Sequence, residues 1–574
     1  MSRFDFAALN RLPADLSDPF EQAVWRWTLA HGGDALLAER VARTARAEAA
    51  GDSCLALTGA QASRHGGTAL DSQQLQQLRR SSLISDGGHI APLVIDARQR
   101  LYFWRNWRHE QRISEQIVQA LSTAADQAAS ESLEAALQQA FADSDPALDS
   151  LQRKAVRQAL SRRLLILTGG PGTGKTRTVG RLIEAARRLH GETLQIHVAA
   201  PTGKAAQRLN MLFDRDANNV TAAQTVHRLL GFDPDTQRFR HGRELPLKTD
   251  LLIVDEVSML DLGTLRTLLE AVPPSTHLVL MGDAEQLQSV TTGSVLDDIV
   301  QALEGIPDSP VVRLQHGFRS EHGLLPVFIA AQQGDAKALT RGADDLFAPI
   351  SLRSCADLTQ RDQRLHDWAL QLIDQLSGAV TGQGEQDAAR LLQAWQQQQL
   401  LCVLNEGPFG ASEAALRIEA RLREAWRVLP GTASFAGQAI MVRRNDYARG
   451  LFNGDLGVLL PDTSSRLRAW FADPMSSRLR SFATGDLPEH ASACALTVHK
   501  SQGSEFPRVA LLLPPDAESR VLSRQLVYTA LTRARQRVEI WGDEAVLGAA
   551  LARRSSRLGG LRDLLVQRCA ALRG

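Results

Sequence analysis

Lysine is scarce in this 574-residue chain: six stand among the 65 basic residues, at positions 154, 175, 204, 248, 337 and 500. Arginine supplies the rest, so a retained lysine marks a place where a compact ammonium serves better than a planar fork. Cysteine is sparse too. The five (Cys54, Cys355, Cys402, Cys494, Cys569) form no CxxC pair and have no histidine cluster beside them. That excludes a zinc or iron–sulfur centre built from clustered ligands and leaves buried structural thiols. No apolar run approaches the roughly 20 residues of a membrane span. The start, MSRFDFAALNRLP, lacks the basic and apolar regions of a secretory signal. A cytoplasmic protein with no membrane partner is therefore expected. With a net charge of only +1, any attraction to nucleic acid falls to local basic groups.

What is present is an ordinary globular composition, 44% hydrophobic and 22% charged, in a chain long enough for several cores. Residues 1–115 mix amphipathic helical patterns with the aromatic run LYFWRNWRHE (101–110) and are expected to form a helical N-terminal domain. The aromatics interleaved with arginine could stack bases, but a buried amphipathic segment is the favoured reading. Residues 116–148, rich in Ala, Gln and Ser, read as helix and linker. From 149 to 345, the compact runs LLILT, IHVAA, LLIVDE, LVLMGD and VVRL alternate with helical patterns, as in a covered parallel sheet. A second series, from LLCVL (400–404) to VEIWG (538–542), marks another α/β domain over 346–574. Its short strands between about 437 and 492 carry no long helix, so a small β-rich insertion is expected there.

GGPGTGKT (169–176) fits G-x-x-x-x-G-K-[ST], follows the strand LLILT and opens a helical pattern. Its glycines let backbone N–H groups surround phosphates at a helix N-terminus. Gly169, Gly170, Pro171, Gly172, Thr173, Gly174, Lys175, Thr176 and Arg177 are the nucleotide-binding candidates. Lys175 would reach the β- and γ-phosphates of ATP, and Thr176 would ligate Mg²⁺. LLIVDEVSML then places Asp255 and Glu256 at the C-terminal end of a buried strand, where open α/β sheets bind ligands. Asp255 suits the magnesium; Glu256 suits a general base for the attacking water. These residues establish a magnesium-dependent nucleotide hydrolase.

The next strand ends in GDAEQLQSV (282–290), and here the sequence resembles the superfamily 1 DNA helicases. The resemblance implies two tandem RecA-like P-loop NTPase domains, the α/β class, and gives Gln286 a γ-phosphate contact. It extends to Gln152 in LQRKAV as the reader of the adenine edge. APTGKAAQRL (200–209) supplies Thr202 and Lys204 as DNA contacts, and TVHRLLG (225–231) supplies Thr225 and His227. HGFRS and VYTALTRAR supply Arg319 and Arg533, the two γ-phosphate arginines. In TVHKSQGSEF (497–506), Thr497 and His499 would meet the single strand, Lys500 a backbone phosphate, and Glu505 the ribose. Gly503 would permit the tight turn between the two sides. Two arginines distant in sequence must converge on one phosphate to neutralise transition-state charge. If they come from different domains, nucleotide binding and release become a mechanical stroke.

Within the superfamily the chain is most similar to the RecD family, the α subunits of exodeoxyribonuclease V (RecBCD). LYFWRNWRHE, EGPFGASEAALRIE (406–419) and NDYARGLFNGDLGV (445–458) carry that similarity. Two stretches depart from the usual motifs: GFRS ends differently, and QLQSV carries a glutamine where small residues or proline are common. The resemblance implies 5′→3′ movement on single-stranded DNA, entry at duplex ends, and RecB-like and RecC-like partners docking on the N-terminal domain. A nuclease site is not expected in this chain, because the one acid–x–lysine spacing of the right type, Asp335 to Lys337, lies in a polar helical or turn context. A stand-alone helicase of the same branch is the alternative, although no helix-hairpin-helix signature appears in the first 150 residues. A structural subunit switched by ATP is the non-enzymatic one.

Overall fold

The computed structural model describes residues 15–16, 18–123, 130–143, 145, 149–212, 222–289, 291–315, 323–341, 348–446, 448–473 and 478–572. Two parallel sheets organise it. The first runs in the order Val311–Leu314, Leu164–Gly169, His277–Gly282, Leu251–Val254, Ile196–Ala200, Gln224–Thr225. Its strands are apolar on both faces because helices cover both. Leu164, Ile166, Leu252, Val254, Leu278 and Leu280 enter one core cluster. The alternate residues Leu165, Leu167, Ile253, Val279 and Met281 enter the other.

The second sheet has the order Ile350–Arg353, Ala534–Trp541, Phe506–Leu512, Gln398–Cys402, Ala495–Thr497, again parallel. Between its strands lies a separate five-stranded antiparallel sheet spanning Ala439 to Ser492, the β-rich insertion the sequence leads one to expect.

Three features differ from the sequence reading. The N-terminal domain, expected to be helical, is mixed: helices Pro19–Ala30 and Ala35–Ala49 accompany a four-stranded sheet of very short strands. The aromatic run forms its strand Arg100–Phe103 and opens helix Trp104–Ser122. Tyr102 is buried, and the Trp104 and Trp107 rings lie 5.1 Å apart, so these aromatics build a core and not a base-stacking face. Within 116–148, read as helix and linker, the described residues include several that pack on the first parallel-sheet domain. Helix Trp104–Ser122 continues past residue 116, and its Ile113 and Ile117 sit in the core of the first motor domain. Leu137, Ala140 and Phe141 pack on its opposite face. The C-terminus also returns: Leu561, Leu565 and Cys569 of helix Leu561–Ala571 belong to the first domain's core. Among the described residues, no helix is long and apolar enough to cross a membrane.

Candidate active site at the motor interface

The phosphate loop leaves strand Leu164–Gly169 and enters helix Lys175–His190. That helix forms because Thr178, Val179, Leu182, Ile183 and Ala186 recur at helical spacing and bury on the sheet, and it stops at Gly191. The loop turns through left-handed Gly172 (φ 75°) and Gly174 (φ 86°), which glycine adopts without steric cost. Lys175 Nζ donates to the carbonyls of Gly169 (2.5 Å) and Gly170 (3.1 Å), at the mouth of the loop.

Asp255 and Glu256 follow strand Leu251–Val254. Burial, reinforced by the neighbouring Glu256 charge, pushes the Asp255 carboxyl up to about 6, against the pull of Lys175. A carboxylate held at such cost suits a cation. Glu256 takes a left-handed backbone (φ 51°), a strained choice for a residue with a side chain, and this turn brings it to the cavity.

A cavity of about 420 Å³ lies over the loop, a size that suits a nucleotide. Gly172, Lys175, Thr176, Asp255, Glu256 and Gln286 reach it from the first motor domain; Glu505, Arg533 and Arg535 reach it from the second. Arg533 is only 3% exposed, its guanidinium held by the carbonyls of Thr529 (3.0 Å) and Ser504 (3.3 Å). The structure thus brings Lys175, Asp255, Glu256, Gln286 and Arg533 together. Arg319 lies outside the described residues.

Gln152, the expected reader of the adenine edge, does not line this cavity. It is 2% exposed, and neither its amide nitrogen nor its amide oxygen has a hydrogen-bond partner among the described residues. Leaving both groups unsatisfied costs a few kcal/mol, which an adenine edge offering a donor and an acceptor would recover. Glu505 carries a cross-domain clamp: its carboxylate pairs with Arg208 of the first motor (2.9 Å) and Arg535 of the second (3.0 Å).

Of the proposed DNA contacts, Thr202, Thr225 and Thr497 stand at or just past the C-terminal ends of strands Ile196–Ala200, Gln224–Thr225 and Ala495–Thr497. Three threonines share one local design. Thr202 Oγ1 accepts from Ala205 N, Thr225 from Arg228 N and Thr497 from Lys500 N, each capping the turn that follows. Each keeps its hydroxyl hydrogen as a donor beside a row of backbone N–H groups, an arrangement suited to phosphate. Lys500 is exposed, its Nζ 3.2 Å from Asn405 Oδ1, and His499 is half-buried. Two candidates have other company. Lys204 Nζ stands 5.9 Å from the Phe506 ring centroid, and burial pushes its ammonium down to about 8 despite nearby Asp455. The His227 ring packs against Phe232 and Phe239 of the hairpin 232–239, which also touch each other, and burial lowers its basicity.

A family model described as "AAA domain" matches residues 152–292, and one described as "UvrD-like helicase C-terminal domain" matches 492–540. The RecBCD enzyme subunit RecD of Mycobacterium tuberculosis is 37% identical over 484 residues, covering 80% of this chain and 79% of that protein. The chain belongs to the RecD family. It is an ATP-dependent DNA helicase of superfamily 1. The subunit RecD of Haemophilus influenzae is 31% identical, covering 83% of this chain and 81% of that protein. The ATP-dependent RecD2 DNA helicase of Deinococcus radiodurans is 33% identical but is matched over only 50% of its length. Among solved structures, the Pif1 helicase from Candida albicans is 18% identical with a TM-score of 0.38, covering 69% of this chain and 95% of that one.

Several residues of this RecD-family site escape sequence reasoning because their roles are cross-domain. Tyr528 donates its hydroxyl to Asp283 Oδ2 (3.0 Å), where Gln286 Nε2 also donates (3.1 Å). Thr529 Oγ1 accepts from Leu287 N (2.8 Å), and Gln502 Nε2 donates to Leu287 O (3.1 Å). The stretch that ends the strand His277–Gly282 is therefore latched to the second motor at three points. Tyr528, Thr529 and Gln502 lie inside VYTALTRAR and TVHKSQGSEF, but the arginine and the histidine–lysine pair carry the visible signal there.

Proposed function

We propose that the chain is the 5′→3′ motor of a RecBCD-type exodeoxyribonuclease, moving on single-stranded DNA from duplex ends in double-strand break repair. The cavity shared by both motor domains carries this reading, because a ligand there must draw the two sheets together. Lys175 and the backbone of Gly170–Thr176 hold the ATP phosphates, Gln152 the adenine and Glu505 the ribose. Thr176 and Asp255 would hold Mg²⁺, which supplies charge to the β- and γ-phosphate oxygens. Glu256 takes a proton from the attacking water. Arg533, with Arg319, neutralises charge on the γ-phosphate, and Gln286 passes its loss to the latch at Asp283 and Leu287. Thr202, Lys204, Thr225, His227, Thr497, His499 and Lys500 follow the strand.

RecB-like and RecC-like partners in the cytoplasm complete the assembly. The RecBCD-subunit matches cover about four fifths of both chains, whereas the RecD2 match covers half of that helicase, which favours the subunit over the stand-alone reading. Unwinding of 5′- and 3′-tailed duplexes tests the proposal: ATP-dependent opening of the 5′-tailed substrate is expected, lost in Lys175→Gln. Opening of the 3′-tailed substrate alone would refute the polarity.

A further inference from the structure

The segment between helices Glu544–Ala552 and Leu561–Ala571 lies outside the motifs quoted above, yet it touches the N-terminal domain and both motors. It leaves the second motor, where Arg553 donates to the carbonyls of Ser519 (2.6 Å) and Ala517 (3.2 Å). Ser555 exchanges hydrogen bonds with Gln525 at 2.8 and 2.9 Å. It then meets the N-terminal domain: Leu558 N donates to Asp52 Oδ1 (2.8 Å), Ser53 N to Leu558 O (2.9 Å), and Gly560 N to Glu110. Beyond Gly560 it ends in the core of the first motor. It is a strap between the two motors, pinned midway to the N-terminal domain.

At the middle of the strap, Arg557 spreads its guanidinium over three carbonyls, those of Ser289 (2.5 Å), Thr291 and Gly293 (2.8 Å). These residues follow directly on the Asp283–Gln288 stretch, whose Gln286 lines the nucleotide cavity and whose Leu287 is latched to Thr529 and Gln502. The other side of the guanidinium lies against Gly51, where a Cβ would stand 2.5 Å from Cζ; Gly51 is also left-handed (φ 92°), and its carbonyl accepts from Gly293 N. A planar fork with five donors suits this fan of carbonyls, and an ammonium does not reproduce it.

We infer that Arg557 is a positioning residue. Held by the N-terminal domain, it fixes Ser289, Thr291 and Gly293 and so keeps the γ-phosphate-sensing stretch in register with the strand-contacting loop of the second motor. The inference rests on the helicase reading above. Contact of any partner with the N-terminal domain would then bear on coupling through Gly51 and Asp52.

The test compares ATP turnover of the full chain with and without single-stranded DNA for wild type, Arg557→Ala, Arg557→Gln and the control Arg553→Ala. Arg553 holds carbonyls of the second motor only. Both Arg557 variants are expected to keep basal turnover and the KM for ATP within about twofold while DNA stimulation falls at least about fivefold. Arg553→Ala should lower the melting temperature and leave stimulation intact. Stimulation within about twofold of wild type in either Arg557 variant would overturn the assignment. So would failure of both to melt cooperatively, which would make Arg557 a structural clamp. A wild-type chain without stimulation would instead refute the helicase reading itself.

Discussion

Tyr528→Phe removes one oxygen from the motor interface and leaves the ring. The hydroxyl donates to Asp283 at 3.0 Å, and it lies so close to the phosphate loop that a Cβ on Gly170 would stand 2.9 Å from it. Burial pushes the Asp283 carboxyl up, and Tyr528 and Gln286 are side chains whose hydrogen bonds favour its charged form. A hydrogen bond to a buried charged group contributes about 1.5–3 kcal/mol, and a ring of unchanged shape opens no cavity. If that bond belongs to the closed, hydrolysing arrangement, a loss of about 2 kcal/mol appears in kcat as a fall of about 30-fold. The KM for ATP, set mainly by the phosphate loop, should change by less than about threefold. Steady-state ATPase at saturating single-stranded DNA measures both. A kcat within about twofold of wild type would refute the idea that the second motor reports on the nucleotide through Asp283.

Gln152→Ala should leave the ligand-free protein as stable as wild type or slightly more so, since it deletes two unsatisfied buried groups, while raising the KM for ATP by about tenfold and narrowing the preference for ATP over GTP; melting curves and nucleotide competition check this. Glu505→Gln loosens the clamp between Arg208 and Arg535 and is expected to weaken nucleotide binding by several-fold with little change in basal fold stability, read by fluorescent-nucleotide titration. Lys204 gives a pH signature. Its ammonium loses the proton near 8 in the native state, whereas in the unfolded chain it holds it to above about 10, so wild-type stability rises as pH climbs through that window. Lys204→Met should abolish the rise and stabilise the protein at pH 7 by on the order of 1 kcal/mol, allowing for the partial exposure of the group, as denaturant midpoints at pH 7 and 9.5 would show.

The legible parts of the molecule are those where one local pattern decides the structure. Runs such as LLILT and LLIVDE are apolar on both faces and end in glycine or carboxylate, so strand, loop and chemistry can be read together. The insertion is legible because its strands follow one another without a helix. Elements fixed by packing are not. Strand Ile350–Arg353 alternates Ile350 and Leu352 with a buried serine and an exposed arginine, and four residues are too few for that alternation to stand out. The N-terminal strands run two to four residues, too short for a period to register. The strap through Arg557 has no periodicity and acquires meaning only from three domains that the sequence separates by hundreds of residues. In the site, the charged groups were visible; the hydroxyls of Tyr528 and Thr529, which latch one motor to the other, were not.

The most direct measurement is ATP turnover by the purified wild-type chain with and without single-stranded DNA. A site built from both motors, with its γ-phosphate sensor latched to the strand-contacting loop, predicts stimulation of at least about tenfold, absent in Lys175→Gln. Equal turnover with and without DNA, in a protein that binds both ligands, would contradict it.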